Sequence, residues 1–199
     1  MSATSVTSAL AQEKQRLRAR ALALRQSIAP AERVRLSEVA AVQGVALALA
    51  CKAGAASLYW PIRDEPDVLP LLSALQACGV VTALPVTGAR GQPLVFRQWR
   101  AGDPQVIGPM RIPEPASHLP IIEPDLLFLP LTVFDLRGNR IGYGAGYYDM
   151  TLQRLRAKKR VTAVGVAFAA LAVPAVPAEA HDQRLDYILT ENGLMACAE

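Results

Sequence analysis

Apolar and polar positions along this chain switch between a helical and a strand-like period, and the switches mark its elements. Leu10, Leu17, Ala21, Leu24 and Ile28 recur on one stripe, which predicts an amphipathic helix over residues 10–28. Lys14, Arg18 and Arg25 fall together on a second stripe at its border. Ala29-Pro30 reads as a helix restart, with Glu32 close behind, and an alanine-rich second helix follows over residues 31–50, closed by Gly54. Residues 57–62 are short, apolar and aromatic, a first strand, and a charged loop, Arg63-Asp64-Glu65-Pro66-Asp67, follows directly. Asp67 is placed to cap a helix over residues 68–78, whose apolar side is Leu69, Leu72 and Leu75. Residues 80–84 and 94–99 read as strands on either side of a Gly88–Gly91 turn. Residues 101–124, rich in proline and without period, read as a long loop. The continuous apolar run at residues 126–131 predicts a central parallel strand, buried on both faces. A glycine loop leads into a helix from Asp149 to about Arg156, followed by a buried strand at 161–168. A second excursion through Pro174, Pro177 and Asp182 precedes a last short strand at 185–189. Alternating strands and helices predict an α/β fold with a mostly parallel sheet.

Composition narrows the class. Of 199 residues, 52% are hydrophobic and 19% charged, as in a globular chain. No repeat and no Gly/Ser linker divides it, so a single domain over 1–199 is expected, with residues 1–9 unordered. The net charge of +4 is concentrated: Lys14, Arg16, Arg18, Arg20, Arg25, Arg33 and Arg35 against Glu13 and Glu32 leave residues 12–35 at +5. The rest is about neutral, which argues against a nucleic-acid partner. Cys51, Cys78 and Cys197 form no CxxC pair and read as thiols of a reducing compartment. Two histidines, His118 and His181, leave a zinc site or a histidine-based triad without support. There is no secretion-signal pattern, and the uncharged run at 161–178 is broken by Pro174 and Pro177. A soluble cytoplasmic protein with no membrane partner is expected.

The candidate chemistry centres on Gly138-Asn139-Arg140-Ile141-Gly142-Tyr143-Gly144-Ala145-Gly146-Tyr147-Tyr148-Asp149. Evenly spaced glycines before a helix let successive backbone N–H groups cradle phosphate oxygens. Arg140 adds a fixed charge, and Asp149 can hold a bridging cation. The competing reading is a glycine-rich turn with its tyrosines packed as core. The loop has no Gly-Lys-Ser/Thr of a P-loop, no GxGxxG spacing and no serine of a nucleophile elbow. Binding, charge and a metal would then carry the chemistry, which is what phosphoryl transfer requires.

That dodecapeptide resembles the signature of the 5-formyltetrahydrofolate cyclo-ligase family. The likeness extends to Lys14 with Leu17-Arg18, Glu65 in the charged loop, Glu114-Pro115, the stretch 177–182, Asp186 and Thr190-Glu191, nearly the whole chain in order. The resemblance implies a three-layer α/β/α fold with the N-terminal helices packed on the sheet. It implies ATP- and Mg2+-dependent conversion of 5-formyltetrahydrofolate, of open glutamate count, to 5,10-methenyltetrahydrofolate with release of ADP and phosphate. The formyl oxygen would take the phosphoryl group and N10 would then attack. A monomer is expected. By resemblance, Lys14 and Arg18 are the N-terminal phosphate contacts. Arg140 with Gly142, Tyr143, Gly144, Ala145, Gly146, Tyr147 and Tyr148 forms the ATP cradle. Asp149 and Asp182 serve Mg2+; Trp60, Glu65 and Tyr148 face the folate; and Arg140, Tyr148 and Asp149 are the catalytic set. Each has a rival: Tyr147 as core packing, Trp60 as sheet filler, Asp149 as a helix cap, Asp182 as a loop carboxylate. Ala145 stands where relatives commonly have glycine or lysine, and Met150 where arginine is frequent. The alternative is therefore a nucleotide-binding paralogue with a different or lost folate activity.

Overall fold

The computed structural model describes residues 3–198. Helix α1 (Ala3–Gln26) is already helical at Ala3, ahead of the expected start at residue 10; Met1 and Ser2, the rest of the expected unordered leader, lie outside the described residues. The chain breaks at Ser27–Ala29, where Ala29 is extended ahead of Pro30, and α2 (Pro30–Ala50) restarts with proline in its first turn. The buried stripe of α1 is Leu17, Ala21 and Arg25, continued by Ile28, whereas Leu24 is 39% exposed. Leu24 therefore departs from the expected stripe. A spacing of four from Leu17 and Ala21 places Arg25 in the seam and turns Leu24 outward.

Strand β1 (Ala55–Ser57) begins two residues earlier than the sequence pattern indicates and ends where Leu58 leaves the ladder, so Tyr59, Trp60 and Ile62 form a loop instead of a strand. Helix α3 (Leu69–Ala77) follows, and the Asp67 carboxylate accepts the Leu69 N–H at its start, as expected. Strands β2 (Val81–Val86) and β3 (Val95–Gln98) pair antiparallel. The expected long loop at 101–124 is not structureless. It holds an antiparallel hairpin, β4 (Gln105–Ile107) with β5 (Pro113–Pro115), and the edge strand β6 (Ile121–Ile122). Strand β7 (Leu126–Pro130) is followed by a small hairpin, β8 (Val133–Phe134) with β9 (Arg140–Ile141). Helix α4 (Tyr147–Arg156) starts two residues before the expected Asp149. Strands β10 (Thr162–Val166), β11 (Tyr187–Thr190) and β12 (Gly193–Ala196) complete the sheet, the last pairing antiparallel across a turn.

The main sheet has the order β12-β11-β10-β7-β1-β2-β3-β6. Its five central strands are parallel and its edges antiparallel. All of Leu126 to Leu129 is at 0% exposure, the burial expected of a strand covered on both faces. Helices α2 and α3 pack together over it: a Cβ at Gly44 of α2 would lie 2.7 Å from Leu71 of α3 and 3.3 Å from Phe128 of β7. The crossover from β1 steps to β2, and that from β7 steps the other way to β10. Right-handed crossovers running in opposite directions put α3 and α4 on opposite faces, giving three layers. The strand order thus reverses between β7 and β1. In open α/β sheets the crevice at the C-terminal ends of such a strand pair is where ligands bind.

Candidate active site

That crevice holds a cavity of about 650 Å3, reached by Tyr59, Trp60 and Ile62 beyond β1 and by Pro130 at the end of β7. Every residue named above as a site candidate lines it: Lys14, Arg18, Trp60, Glu65, Arg140, Gly142, Tyr143, Gly144, Ala145, Gly146, Tyr147, Tyr148, Asp149 and Asp182. Met150 is not among its lining residues.

One half is built for anions. The β8–β9 hairpin is fixed by Asp135, whose carboxylate accepts the N–H groups of Arg137, Asn139 and Val176 and the Asn139 amide. This aims Arg140 and the glycine loop at the cavity. Gly144 and Gly146 sit at φ 96° and 70°, conformations in which a Cβ is strained, so the glycines here meet a real backbone demand. Arg18 lies along the loop, its Nε donating to the Gly142 carbonyl at 2.7 Å. Gly146 is the N-cap of α4 without a capping side chain, and the N–H groups of Tyr147, Tyr148 and Asp149 meet no acceptor among the described residues. Three free amides at a helix start are an anion site by construction.

Charge is arranged around this cradle in two clusters. The Lys14 ammonium donates to Asp182 at 2.6 Å and Glu179 at 2.8 Å. Burial alone would pull the Lys14 ammonium down, but the hydrogen bonds and charges of Asp182 and Glu179 outweigh it and hold it above its ordinary value. For Asp182, burial pushes upward and Lys14 with the Glu179 N–H outweighs it, so that carboxyl lies below the usual range. In the second cluster the Arg140 guanidinium, 5% exposed, donates to Asp149 at 2.8 Å and to the Gln183 carbonyl. The same Asp149 oxygen accepts the Gln183 N–H at 3.0 Å. Asp149 is thus the third residue of α4, not its cap, and ties the helix to the 182–184 loop.

Oxygen donors for a divalent cation are present. Asp182, Glu179 and His181 bring ligand atoms within 4.8 Å of one another. Asp149, the other carboxylate assigned to Mg2+ from the sequence, stands outside that group, held by Arg140. Mg2+ is bound through one or two carboxylates completed by waters and substrate phosphates, so the Asp182 and Glu179 oxygens fit it without the His181 nitrogen, provided the Lys14 ammonium they now hold turns away. The cradle likewise fits a polyphosphate: a Cβ at Gly142 or Gly146 would meet only open space.

The other half is aromatic. Trp60 stands edge-on to buried Trp99, ring centroids 5.9 Å apart, and gives the cavity a flat wall. The Tyr143 hydroxyl accepts from the Arg25 guanidinium at 2.8 Å, and Glu65, 8% exposed and lining the same cavity, accepts the Ile62 N–H at 3.0 Å. Burial pushes its carboxyl above the ordinary value, against the opposing pull of Tyr143, the Ile62 amide, Arg25 and Arg63. Burial, then the Glu65 charge, pushes Tyr143 up to about 12 and raises Tyr148 and Tyr59 as well, so all three stay protonated donors. Tyr147 lines the cavity while its carbonyl accepts the Thr151 hydroxyl.

Several lining residues were not assigned a role from the sequence. Glu179 and His181 adjoin Asp182 in the same excursion, and that proximity was the available signal. Glu114, 4% exposed, accepts the Thr87 N–H at 3.0 Å and lines the cavity from β5. It was visible as half of a Glu-Pro pair.

Fold and cavity together define a small-molecule enzyme of the open α/β class, whose site joins an anion cradle to an aromatic wall bearing a buried carboxylate. The model of the 5-formyltetrahydrofolate cyclo-ligase family matches residues 10–191. A 5-formyltetrahydrofolate cyclo-ligase of Mycolicibacterium smegmatis is 34% identical over 193 residues, covering 92% of this chain and 96% of the relative. One from Escherichia coli is 28% identical over 172 residues, 83% and 93% of the two chains. Among solved structures, the 5,10-methenyltetrahydrofolate synthetase of Aquifex aeolicus superposes with a TM-score of 0.77 at 28% identity, covering 94% of this chain and 93% of the other. The chain belongs to the 5-formyltetrahydrofolate cyclo-ligase family.

Proposed function

We propose that this chain is an ATP- and Mg2+-dependent cyclo-ligase that converts 5-formyltetrahydrofolate to 5,10-methenyltetrahydrofolate, acting as a soluble cytoplasmic monomer. The observation that carries the reading is the convergence, in one cavity of about 650 Å3, of a phosphate-type cradle and a flat wall with a buried carboxylate. ATP is the co-substrate that makes the formyl oxygen a good leaving group: the oxygen takes the terminal phosphoryl group, N10 bonds to the formyl carbon, N10 loses its proton and phosphate departs.

The chain's own residues bind and orient. The Gly142–Tyr148 backbone, Lys14, Arg18 and Arg140 hold phosphate oxygens and offset the charge that develops on them. Asp182 with Glu179, and Asp149 once Arg140 turns toward phosphate, are the groups that would hold Mg2+, which supplies further charge neutralisation when bound. Glu65 accepts the adjacent N–H donors of the pterin ring, Trp60 covers its face, and the Tyr148 hydroxyl donates across the reacting end. No protein nucleophile is required, since positioning converts the N10 attack into a unimolecular step.

This reading is tested by following ADP release. With 5-formyltetrahydrofolate and Mg2+ present, release is expected to be fast and to match product one to one. ADP release indifferent to the folate would favour a nucleotide-binding paralogue, the reading that Ala145, with no lysine charge at its place in the cavity lining, would fit.

A further inference from the structure

The Lys14 ammonium lies where a divalent cation would find its oxygens. Lys14 projects from α1 with its side chain 14% exposed, and its Nζ donates to Asp182 Oδ2 at 2.6 Å and to Glu179 Oε2 at 2.8 Å. These two carboxylates belong to the group whose ligand atoms gather within 4.8 Å of one another, and they line the same cavity as Lys14. Their own positions are fixed by a tight turn. The Asp182 N–H donates to the Glu179 carbonyl at 3.0 Å, and Asp182 Oδ2 accepts the Glu179 N–H at 2.8 Å. The adaptable member is Lys14, whose charge rides on a flexible four-carbon stem.

Two cations cannot share this pair of oxygens. Mg2+ takes oxygens at about 2.0–2.1 Å and demands near-octahedral geometry, which an ammonium hydrogen-bonded to both carboxylates obstructs. Like charges that close, with little water between them, also repel strongly. The ammonium has one other anion to turn to. Lys14 stands one helical turn from Arg18, whose guanidinium already touches the glycine loop at the Gly142 carbonyl. Phosphate held by that loop therefore comes within reach of Lys14 without any movement of α1.

We propose that Lys14 is an exchangeable counter-ion of the Mg2+ site: in the nucleotide-free enzyme its ammonium occupies the Asp182–Glu179 pair and keeps divalent cations out, and arriving phosphate draws it away and opens the pair to the metal. The proposal rests on the assignment of Asp182 and Glu179 to Mg2+. Its consequence is positive coupling between nucleotide and metal, so that the enzyme holds no Mg2+ between turnovers.

The test titrates Mn2+, as a paramagnetic substitute for Mg2+, into nucleotide-free protein and reads the loss of the free-ion electron spin resonance signal. Wild type is expected to take up Mn2+ weakly. K14Q and K14M, which remove the charge, are expected to bind it about tenfold to a hundredfold more tightly, the usual size of a coupling between two sites. Mg2+ alone should raise the Tm of these variants and leave that of wild type unchanged. Folded K14Q and K14M that bind Mn2+ no better than wild type overturn the proposal. Should neither fold, wild type that binds Mn2+ as tightly without nucleotide as with a non-hydrolysable ATP analogue overturns it equally. The double variant E179Q/D182N separates the proposal from the assignment beneath it. If its Mn2+ affinity with the analogue present equals that of wild type, the assignment fails and the proposal with it. If that affinity is lost while K14Q gains nothing without nucleotide, the proposal alone fails.

Discussion

Lys14→Ala separates the ion pairing that the ammonium shows in this structure from the phosphate contact proposed for it. It sits between Asp182 and Glu179 at 2.6 and 2.8 Å, its own side chain 14% exposed and theirs 20% and 28%. Exposed pairs contribute up to about 1 kcal/mol and fully buried ones about 3–5 kcal/mol when broken. This partly screened triad lies between, so removal should destabilise the fold by about 1–2 kcal/mol, or ~2–8 °C in Tm for a chain of this size. The pH dependence has a definite sign. The Asp182 carboxyl is depressed, so its share of the stabilisation is present above its unfolded value, about 3.9, and disappears as pH falls through the still lower folded value. The Lys14 ammonium is raised, so its share is complete below about 10.4 and is lost as pH rises through the folded value. The Tm gap between wild type and Lys14→Ala is therefore a plateau across neutral pH that closes at both ends. On the activity side, loss of a charge-assisted phosphate contact of about 1.5–3 kcal/mol raises the ATP KM roughly tenfold to a hundredfold, with folate affinity nearly intact. Thermal melts and initial rates at varied ATP check both. A lower Tm with an unchanged ATP KM would refute the phosphate role and leave Lys14 as a strut between α1 and the 179–182 loop.

Three further outcomes follow from the same geometry. Gly146→Ala forces a Cβ onto φ 70° at the start of α4, which should destabilise by about 1–2 kcal/mol and weaken ATP binding, measured by melting and by nucleotide titration. Asp149→Asn keeps an oxygen for Gln183 and Arg140, so stability should fall by only about 1–2 kcal/mol while kcat falls roughly a hundredfold or more; equal losses would reduce Asp149 to a tether. Gly165→Ala puts a Cβ 2.5 Å from Leu131 and 2.6 Å from Leu185, overpacking the core by about 1–3 kcal/mol, so Tm should drop with both KM values unchanged.

Long periodic or continuous apolar segments were legible in the sequence. The run at 126–131 became the buried central strand because nothing polar interrupts it, and the α1–α2 break followed from Ala29-Pro30. Short elements stabilised by distant partners were not. The β8–β9 hairpin depends on Asp135 reaching Val176, a contact that leaves no local pattern. The β4–β5 hairpin hides in a proline-rich stretch because proline removes the alternation cue and the donor together. Leu24 and Arg25 show the limit of hydrophobicity as a guide to burial. The leucine is outside and the arginine inside, because a hydroxyl of the glycine loop waits in the seam. The candidate site was legible for a different reason: its residues lie in short, chemically unusual stretches, and the strand reversal between β7 and β1 brings those stretches to one crevice.

The central claim is that this crevice activates a formyl oxygen by phosphorylation before N10 closes the ring. It is tested most directly with 5-formyltetrahydrofolate carrying isotopically labelled formyl oxygen, incubated with the enzyme, ATP and Mg2+ while the near-ultraviolet absorbance of the conjugated methenyl product is followed. The account expects absorbance to grow only with ATP present, and each released phosphate to carry the labelled oxygen. Product formed without ATP, or phosphate free of label, would contradict it.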